Sequence, residues 1–153
     1  MTNDISPFHL PLGLKLLRRL WFPKKLGVLE MLYGRSLSAA GQQWVKCWNG
    51  VIWKLDLADS CHRWIVYGKY EGGIGIDFAR SQLNKGGYFI DSGANIGQWL
   101  LYLATTDKVK TLAFEPVQSQ RKWLKECLSI QKNWQVDVFD YGLSDKESIL
   151  EIQ

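Results

Sequence analysis

The spacing of hydrophobic and polar positions changes from segment to segment along this chain, and the changes mark out its elements. Between Phe8 and Phe22, six leucines (Leu10, Leu12, Leu14, Leu16, Leu17 and Leu20) are interleaved with Lys15, Arg18 and Arg19, the pattern of a basic amphipathic helix. Over 41–57 two β-rich runs, Trp44–Trp48 and Val51–Leu57, flank Asn49-Gly50, which predicts a type I′ hairpin with Trp44 and Trp48 on one face and Trp53 across from them. Arg63–Tyr67 reads as an extension of that small sheet, and 68–75 as a glycine-rich connection. A helix over 74–83, with Ile76, Ala79 and Leu83 on one side, leads into the apolar run Tyr88-Phe89-Ile90-Asp91, a short buried strand. Ile96, Trp99, Leu100 and Leu103 then recur at helical spacing. Val109–Phe114 is a second strand, 117–130 a helix with Val117, Leu124, Cys127 and Leu128 on its apolar face, Val136–Asp140 a third strand, and Ile149–Ile152 a further one. Alternating strands and helices predict an α/β class with a parallel sheet and right-handed crossovers.

The chemistry concentrates where the first of these strands ends. Asp91-Ser92-Gly93-Ala94-Asn95-Ile96-Gly97 is a tight turn between strand and helix, the place where nucleotide-binding α/β folds bring backbone close to a ligand. A dinucleotide fingerprint needs glycines at G-x-G-x-x-G, and the corresponding residues are Gly93, Asn95 and Gln98, so a diphosphate cofactor is disfavoured. Glu115 stands at the tip of the next strand, about 20 residues past the first glycine, where a carboxylate accepts hydrogen bonds from ribose hydroxyls. A ligand with a ribose and no pyrophosphate satisfies both features. S-adenosyl-L-methionine is such a ligand, and its cationic sulfonium and amino groups suit an acid such as Asp91. Asp140, at the end of the third strand, is placed either to meet the adenine amino group or to face solvent.

Three ordered motifs, Asp91-Ser92-Gly93-Ala94-Asn95-Ile96-Gly97, Phe114-Glu115-Pro116 and Gly142-Leu143-Ser144-Asp145, resemble those of the FkbM family of S-adenosylmethionine-dependent methyltransferases. The similarity covers roughly residues 51–153, and Tyr70-Glu71, shortly after Arg63 and Gly68, looks like that family's lead-in. The resemblance implies a Rossmann-like class I methyltransferase fold that methylates a hydroxyl on a sugar, lipid or polyketide. Cofactor contacts are expected from Glu71, Asp91, Gly93, Ala94, Asn95, Gly97, Glu115 and Asp140. It also implies a sheet of about six or seven strands, so this chain of 153 residues reads as the cofactor-binding half of an incomplete fold. Catalytic residues are expected on a strand that this sequence does not contain. An incomplete chain is expected to be inactive alone or to pair with a missing C-terminal half. The rival readings are a Rossmann-like nicotinamide oxidoreductase and a non-catalytic interaction module that keeps the fold.

The expected organisation is a basic helical segment over 1–40, an accessory β-hairpin region over 41–70 and the first half of the Rossmann-like domain over 71–153. The net charge is +4, with Lys15, Arg18, Arg19, Lys24, Lys25 and Arg35 near the start opposed by only Asp4 and Glu30. That imbalance points to an acidic neighbouring surface. Residues 8–25 are too short and too charged to span a bilayer; they read either as a weak membrane-surface contact or as a helix packed on the domain. No nucleic-acid partner is expected. Cys47, Cys61 and Cys127 form no C-x-x-C pair, which argues for a reducing, cytoplasmic setting, peripheral at most to a membrane, without a disulfide framework or zinc site. His9 and His62 are lone histidines. The tryptophans near 44–53 offer either a sugar-stacking surface or the hairpin's own small core.

Overall fold

The computed structural model describes residues 5–70, 74–105 and 108–146. The chain forms two compact units, Met1–Gly73 and Ile74–Gln153. Glu71, Gly72 and Gly73, and the strand expected at 149–152, lie outside the described residues.

In the first unit, α1 (Leu12–Leu17) and α2 (Lys25–Ser38) precede a hairpin of β1 (Gln42–Lys46) and β2 (Ile52–Asp56), and α3 (Ser60–Val66) follows. The leucine-rich stretch is thus one short helix, with Leu14 and Arg18 buried on one side and Leu12 and Leu16 exposed on the other. The hairpin differs from the expected one in a single residue of register. Asn49 keeps negative φ and only Gly50 turns left-handed, at φ +88°, so the connection is not type I′. Cys47 carbonyl accepts from Gly50 N–H, Cys47 N–H donates to Val51 carbonyl, and the Asn49 side chain accepts from Val51 N–H, which together make a longer loop. Val45 therefore pairs with Trp53 and Trp44 with Lys54. A slip of one residue moves every side chain to the other face. Trp53 and Leu55 are fully buried beside Val45, and Trp44 lies on the opposite face from Trp53.

Arg63–Tyr67 is not a strand. Asp59 accepts from Cys61 N–H at 2.7 Å, an N-cap that starts α3 despite the β-branched and aromatic residues in it. Gly68, at φ +76°, ends it, with Gly68 N–H and Lys69 N–H bonded back to Ile65 and Trp64. Arg63 is buried and donates to both carboxylate oxygens of Glu30 and to the carbonyls of Leu57 and Ala58; Tyr67 hydroxyl donates to the same Glu30. This cluster joins α2, α3 and the end of β2. His62 is likewise structural, its Nδ1 accepting from Asp56 N–H.

The second unit is a mixed α/β arrangement: α4 (Ile74–Leu83), β3 (Gly87–Ser92), α5 (Gln98–Leu103), β4 (Val109–Phe114), α6 (Gln118–Leu128) and β5 (Gln135–Phe139). Its three strands are parallel, in the order β3-β4-β5, as a Rossmann-like fold requires of its first half. α5 lies against β3, α6 against β5, and α4 against α5 and β3. Leu100, Leu101, Leu103, Val109, Ala113, Leu124 and Cys127 form the core. β3 is buried on one side only. Phe89 and Asp91 face inward, while Tyr88 is 70% and Ile90 57% exposed. In register with them, the outward side of the sheet carries a Lys110–Asp137 ion pair at 3.6 Å and the stacked rings of Phe114 and Phe139. Trp99, expected on the apolar face of α5, is 43% exposed; Leu101 and Tyr102 are buried in that helix instead.

Gly86 sets the entry to β3. Its φ is +90°, and a Cβ there would stand 2.8 Å from the Lys108 carbonyl oxygen, a backbone atom that also accepts from Gly87 N–H. Strain and overlap act together in Gly86→Ala, which is expected to cost about 2 kcal/mol or more and to lower the thermal midpoint measurably in a calorimetric scan.

No helix among the described residues is long and apolar enough to cross a membrane. Cys47, Cys61 and Cys127 form no disulfide, and no metal-binding cluster of His, Cys, Asp or Glu occurs among the described residues.

Candidate functional site

Parallel strands end side by side, and here the two ends carry acids. Asp91 is the fifth residue of β3, paired in register with Ala113, and Glu115 is the residue just past β4. Both are buried, at 6% and 5% exposure. The turn between β3 and α5 explains why its residues are Gly, Asn and Gly: Gly93 at φ +78°, Asn95 at φ +49° and Gly97 at φ +80° all adopt left-handed backbone. Glycine does so without strain, and asparagine tolerates it better than most side chains.

The N–H groups of this turn point at β4. Gly93 and Ala94 both donate to the Phe114 carbonyl, at 2.9 and 3.0 Å, and Asn95 N–H donates to Oε2 of Glu115 at 2.7 Å. Gly97 N–H turns back to the Ala94 carbonyl. A pyrophosphate is normally held by free N–H groups at this position, and here the N–H groups of Gly93, Ala94, Asn95 and Gly97 are engaged within the protein. α5, moreover, starts without a side-chain cap and runs for only six residues.

Glu115 is fixed at both oxygens. Asn95 N–H holds Oε2, and Val117 N–H, at 2.8 Å, holds Oε1. Its own N–H donates to the Phe139 carbonyl, and Arg121 donates to the carbonyls of Glu115 and Pro116 at 2.8 and 3.0 Å. Each carboxylate oxygen has two lone pairs, so one on each oxygen remains for a further donor. Asp91 is the opposite case. Its Oδ2 is buried with no hydrogen-bond partner among the described residues. Burial first, and the neighbouring Glu115 charge second, push its carboxyl up to about 6. An acid that is costly to ionise and lacks a donor has the chemistry to receive a cationic group.

The remaining predicted positions fall as follows. Ala94 is buried under the turn, Asn95 is exposed apart from its bonded N–H, and Asp140 is exposed at the end of β5, at the same edge of the sheet. Glu71 lies outside the described residues. Two features escaped the sequence reading. One is Arg121, whose guanidinium fastens the chain where it leaves β4. The other is a trio of rings: Phe114 and Phe139 stack at 4.8 Å, and Tyr141 tilts against both at 5.6 and 5.7 Å. Its signal was present as an aromatic residue immediately before each of the two strand-end acids, Glu115 and Asp140.

No protein-family model matches the chain, and no curated protein matches it either. Among solved structures, a Pyrococcus horikoshii protein, PH0793, provisionally named a transferase, aligns over 88% of this chain at 20% identity with a TM-score of 0.46. The chain spans 60% of the length of that structure.

Proposed function

We infer that this chain is the cofactor-binding part of an S-adenosylmethionine-dependent methyltransferase acting on a hydroxyl of a sugar, lipid or polyketide. The observation that carries the reading is the pair of buried acids at adjacent strand tips, one without a donor and one held rigid with lone pairs to spare. The ligand has a cationic amino group and sulfonium, a ribose diol and no phosphate, which matches that donor and acceptor set. The residues present therefore fit the group: Asp91 would take the cationic amino group, and Glu115 the ribose hydroxyls.

When bound, the cofactor supplies an electrophilic methyl group carried on sulfur. The protein's own contribution at this site is positional. Asn95 and Val117 N–H groups keep the Glu115 carboxylate in one orientation before any ligand arrives, so little ordering entropy is left to lose on binding. The rings of Phe114, Phe139 and Tyr141 stand at the same end of the sheet, and the exposed Tyr141 is the ring of the three against which a purine would pack. The nicotinamide alternative would require phosphate-binding N–H groups that the turn directs at β4 instead.

Equilibrium dialysis with labelled S-adenosylmethionine, and separately with NADH, tests this. The first is expected to be retained and the second not. Glu115→Gln replaces an acceptor oxygen by an amide that opposes one of the two backbone donors, and is expected to weaken retention at least tenfold, the loss of a charge-assisted hydrogen bond. Retention of NADH in preference to the methyl donor would overturn the assignment.

A further inference from the structure

The first unit contains a basic groove that the methyl-transfer reading does not use. It encloses about 390 Å³ between the stretch from Pro7 to Leu10, Lys15 with the C-terminal end of α1, and the β1 end of the hairpin. Phe8 N–H donates to the Trp44 carbonyl, which lays that stretch along β1. Lys15, Arg18, Arg19, Lys46 and His9 line the groove, and among the described residues no carboxylate does. Arg18 is buried and anchored on the Val66 carbonyl. Lys15, Arg19 and Lys46 are exposed, and none makes an ion pair with a carboxylate among the described residues. The Arg19 guanidinium is held over the Trp48 ring, 5.0 Å from its centroid, so one wall of the groove has a positioned cation.

The same side of α1 is apolar at its rim. At 3.6 residues per turn, Leu12, Lys15 and Leu16 fall in one arc of α1, with the buried Leu14 on the other side, and Arg18 and Arg19 follow at its C-terminal end. Leu12 is 77%, Leu16 68%, Leu20 56% and Trp21 88% exposed. Cations interleaved with exposed leucines and a tryptophan are the composition of a surface that lies in a lipid headgroup layer.

We propose that this groove receives the phosphate of an anionic phospholipid headgroup, with Lys15, Arg19 and Lys46 as its ligands and Leu12, Leu16, Leu20 and Trp21 entering the interface beside it. The inference is independent of the methyl-donor site, which lies in the other unit. Charge complementarity selects the partner: three cations around one cavity, with no carboxylate partner among the described residues, fit a phosphate, and the apolar rim fits the acyl boundary that a soluble phosphate lacks.

Co-sedimentation of the full chain with vesicles tests it, using phosphatidylcholine alone and phosphatidylcholine mixed with phosphatidylserine. Binding is expected to the mixed vesicles only, to fall as salt is raised, and to drop about fivefold for each of Lys15→Gln, Arg19→Gln and Lys46→Gln, since one Lys or Arg near an anionic surface contributes about 1 kcal/mol. Leu16→Ser with Trp21→Ser is expected to release the protein from the same vesicles. Far-ultraviolet circular dichroism of every variant, required to match the parent, separates loss of binding from loss of fold. Equal binding to both vesicles, full competition by inorganic phosphate at matched ionic strength, or charge variants that bind like the parent would each overturn the proposal.

Discussion

Asp91→Asn is expected to make the protein more stable at neutral pH and to remove most of the affinity proposed for S-adenosylmethionine. The carboxyl titrates at about 6 in the folded chain, against an ordinary value of 3.8, because it is buried and close to Glu115. Below pH 4 it is protonated in both folded and unfolded chains and costs nothing. Between about 4 and 6 the unfolded chain has released the proton and the folded chain has kept it, so stability falls as pH rises; above 6 the full penalty applies. At 1.36 kcal/mol for each pH unit, the penalty is about 3 kcal/mol. Asparagine has the same shape and no charge, so the variant should recover about 2–3 kcal/mol at pH 7.5 and almost nothing at pH 4. Urea titrations of both proteins at the two pH values measure this. A residue that destabilises its own fold and is improved by a neutral isostere is placed for binding rather than for packing. If Asp91→Asn is neutral or destabilising at pH 7.5, Asp91 is a packing residue.

Arg63→Met should have a comparable effect of the opposite sign, confined to the first unit. The guanidinium donates to Glu30 at 3.1 Å to each oxygen and to two backbone carbonyls at 2.8 and 2.9 Å. Methionine fills much of the volume and restores none of these bonds. The Leu57 and Ala58 carbonyls lose their donor, and Glu30 keeps only the Tyr67 hydroxyl at 2.9 Å. Leaving such partners unpaired costs about 3 kcal/mol, less than a fully buried pair because Glu30 is 36% exposed at its side chain and can be rehydrated. Unfolding followed by tryptophan fluorescence, with Trp53 in the core of this unit, provides the measurement. The Arg63 bond also holds the Glu30 carboxyl below its usual range, so this contribution is complete above the unfolded value of about 4.5 and is lost as the pH falls through the folded one. Arg63→Met should flatten that acid limb. A loss below about 1 kcal/mol would mean that α2 and α3 are held together by apolar packing alone.

Much of the second unit was legible in the sequence because its signals are local. β4 occupies Val109–Phe114 as the apolar run predicted, α4 occupies Ile74–Leu83, and the glycines and asparagine after Asp91 mark left-handed backbone. Those signals depend on neighbours within a few residues. Burial does not, and Tyr88 and Ile90, which read as interior, are exposed because one side of β3 is uncovered among the described residues. The first unit was harder for three physical reasons. Asp59 caps a helix whose composition favours a strand; the hairpin register depends on whether Asn49 turns left-handed, and its side-chain bond to Val51 N–H accompanies the longer loop; Arg63 finds its partner 33 residues away. At the candidate site, the presence of Asp91 and Glu115 at adjoining strand ends followed from spacing. That the turn's N–H groups would be committed to the Phe114 carbonyl and the Glu115 carboxylate did not, since it depends on how closely two strands approach.

Calorimetric titration of S-adenosylmethionine into the full chain between pH 5 and pH 8 tests the central claim most directly. A cationic ligand must meet an ionised Asp91, so affinity should rise about tenfold for each unit below pH 6 and level off above it; the rise should vanish in Asp91→Asn along with most of the affinity. Binding that is independent of pH and unchanged in Asp91→Asn, or no heat of binding at any pH, would contradict it.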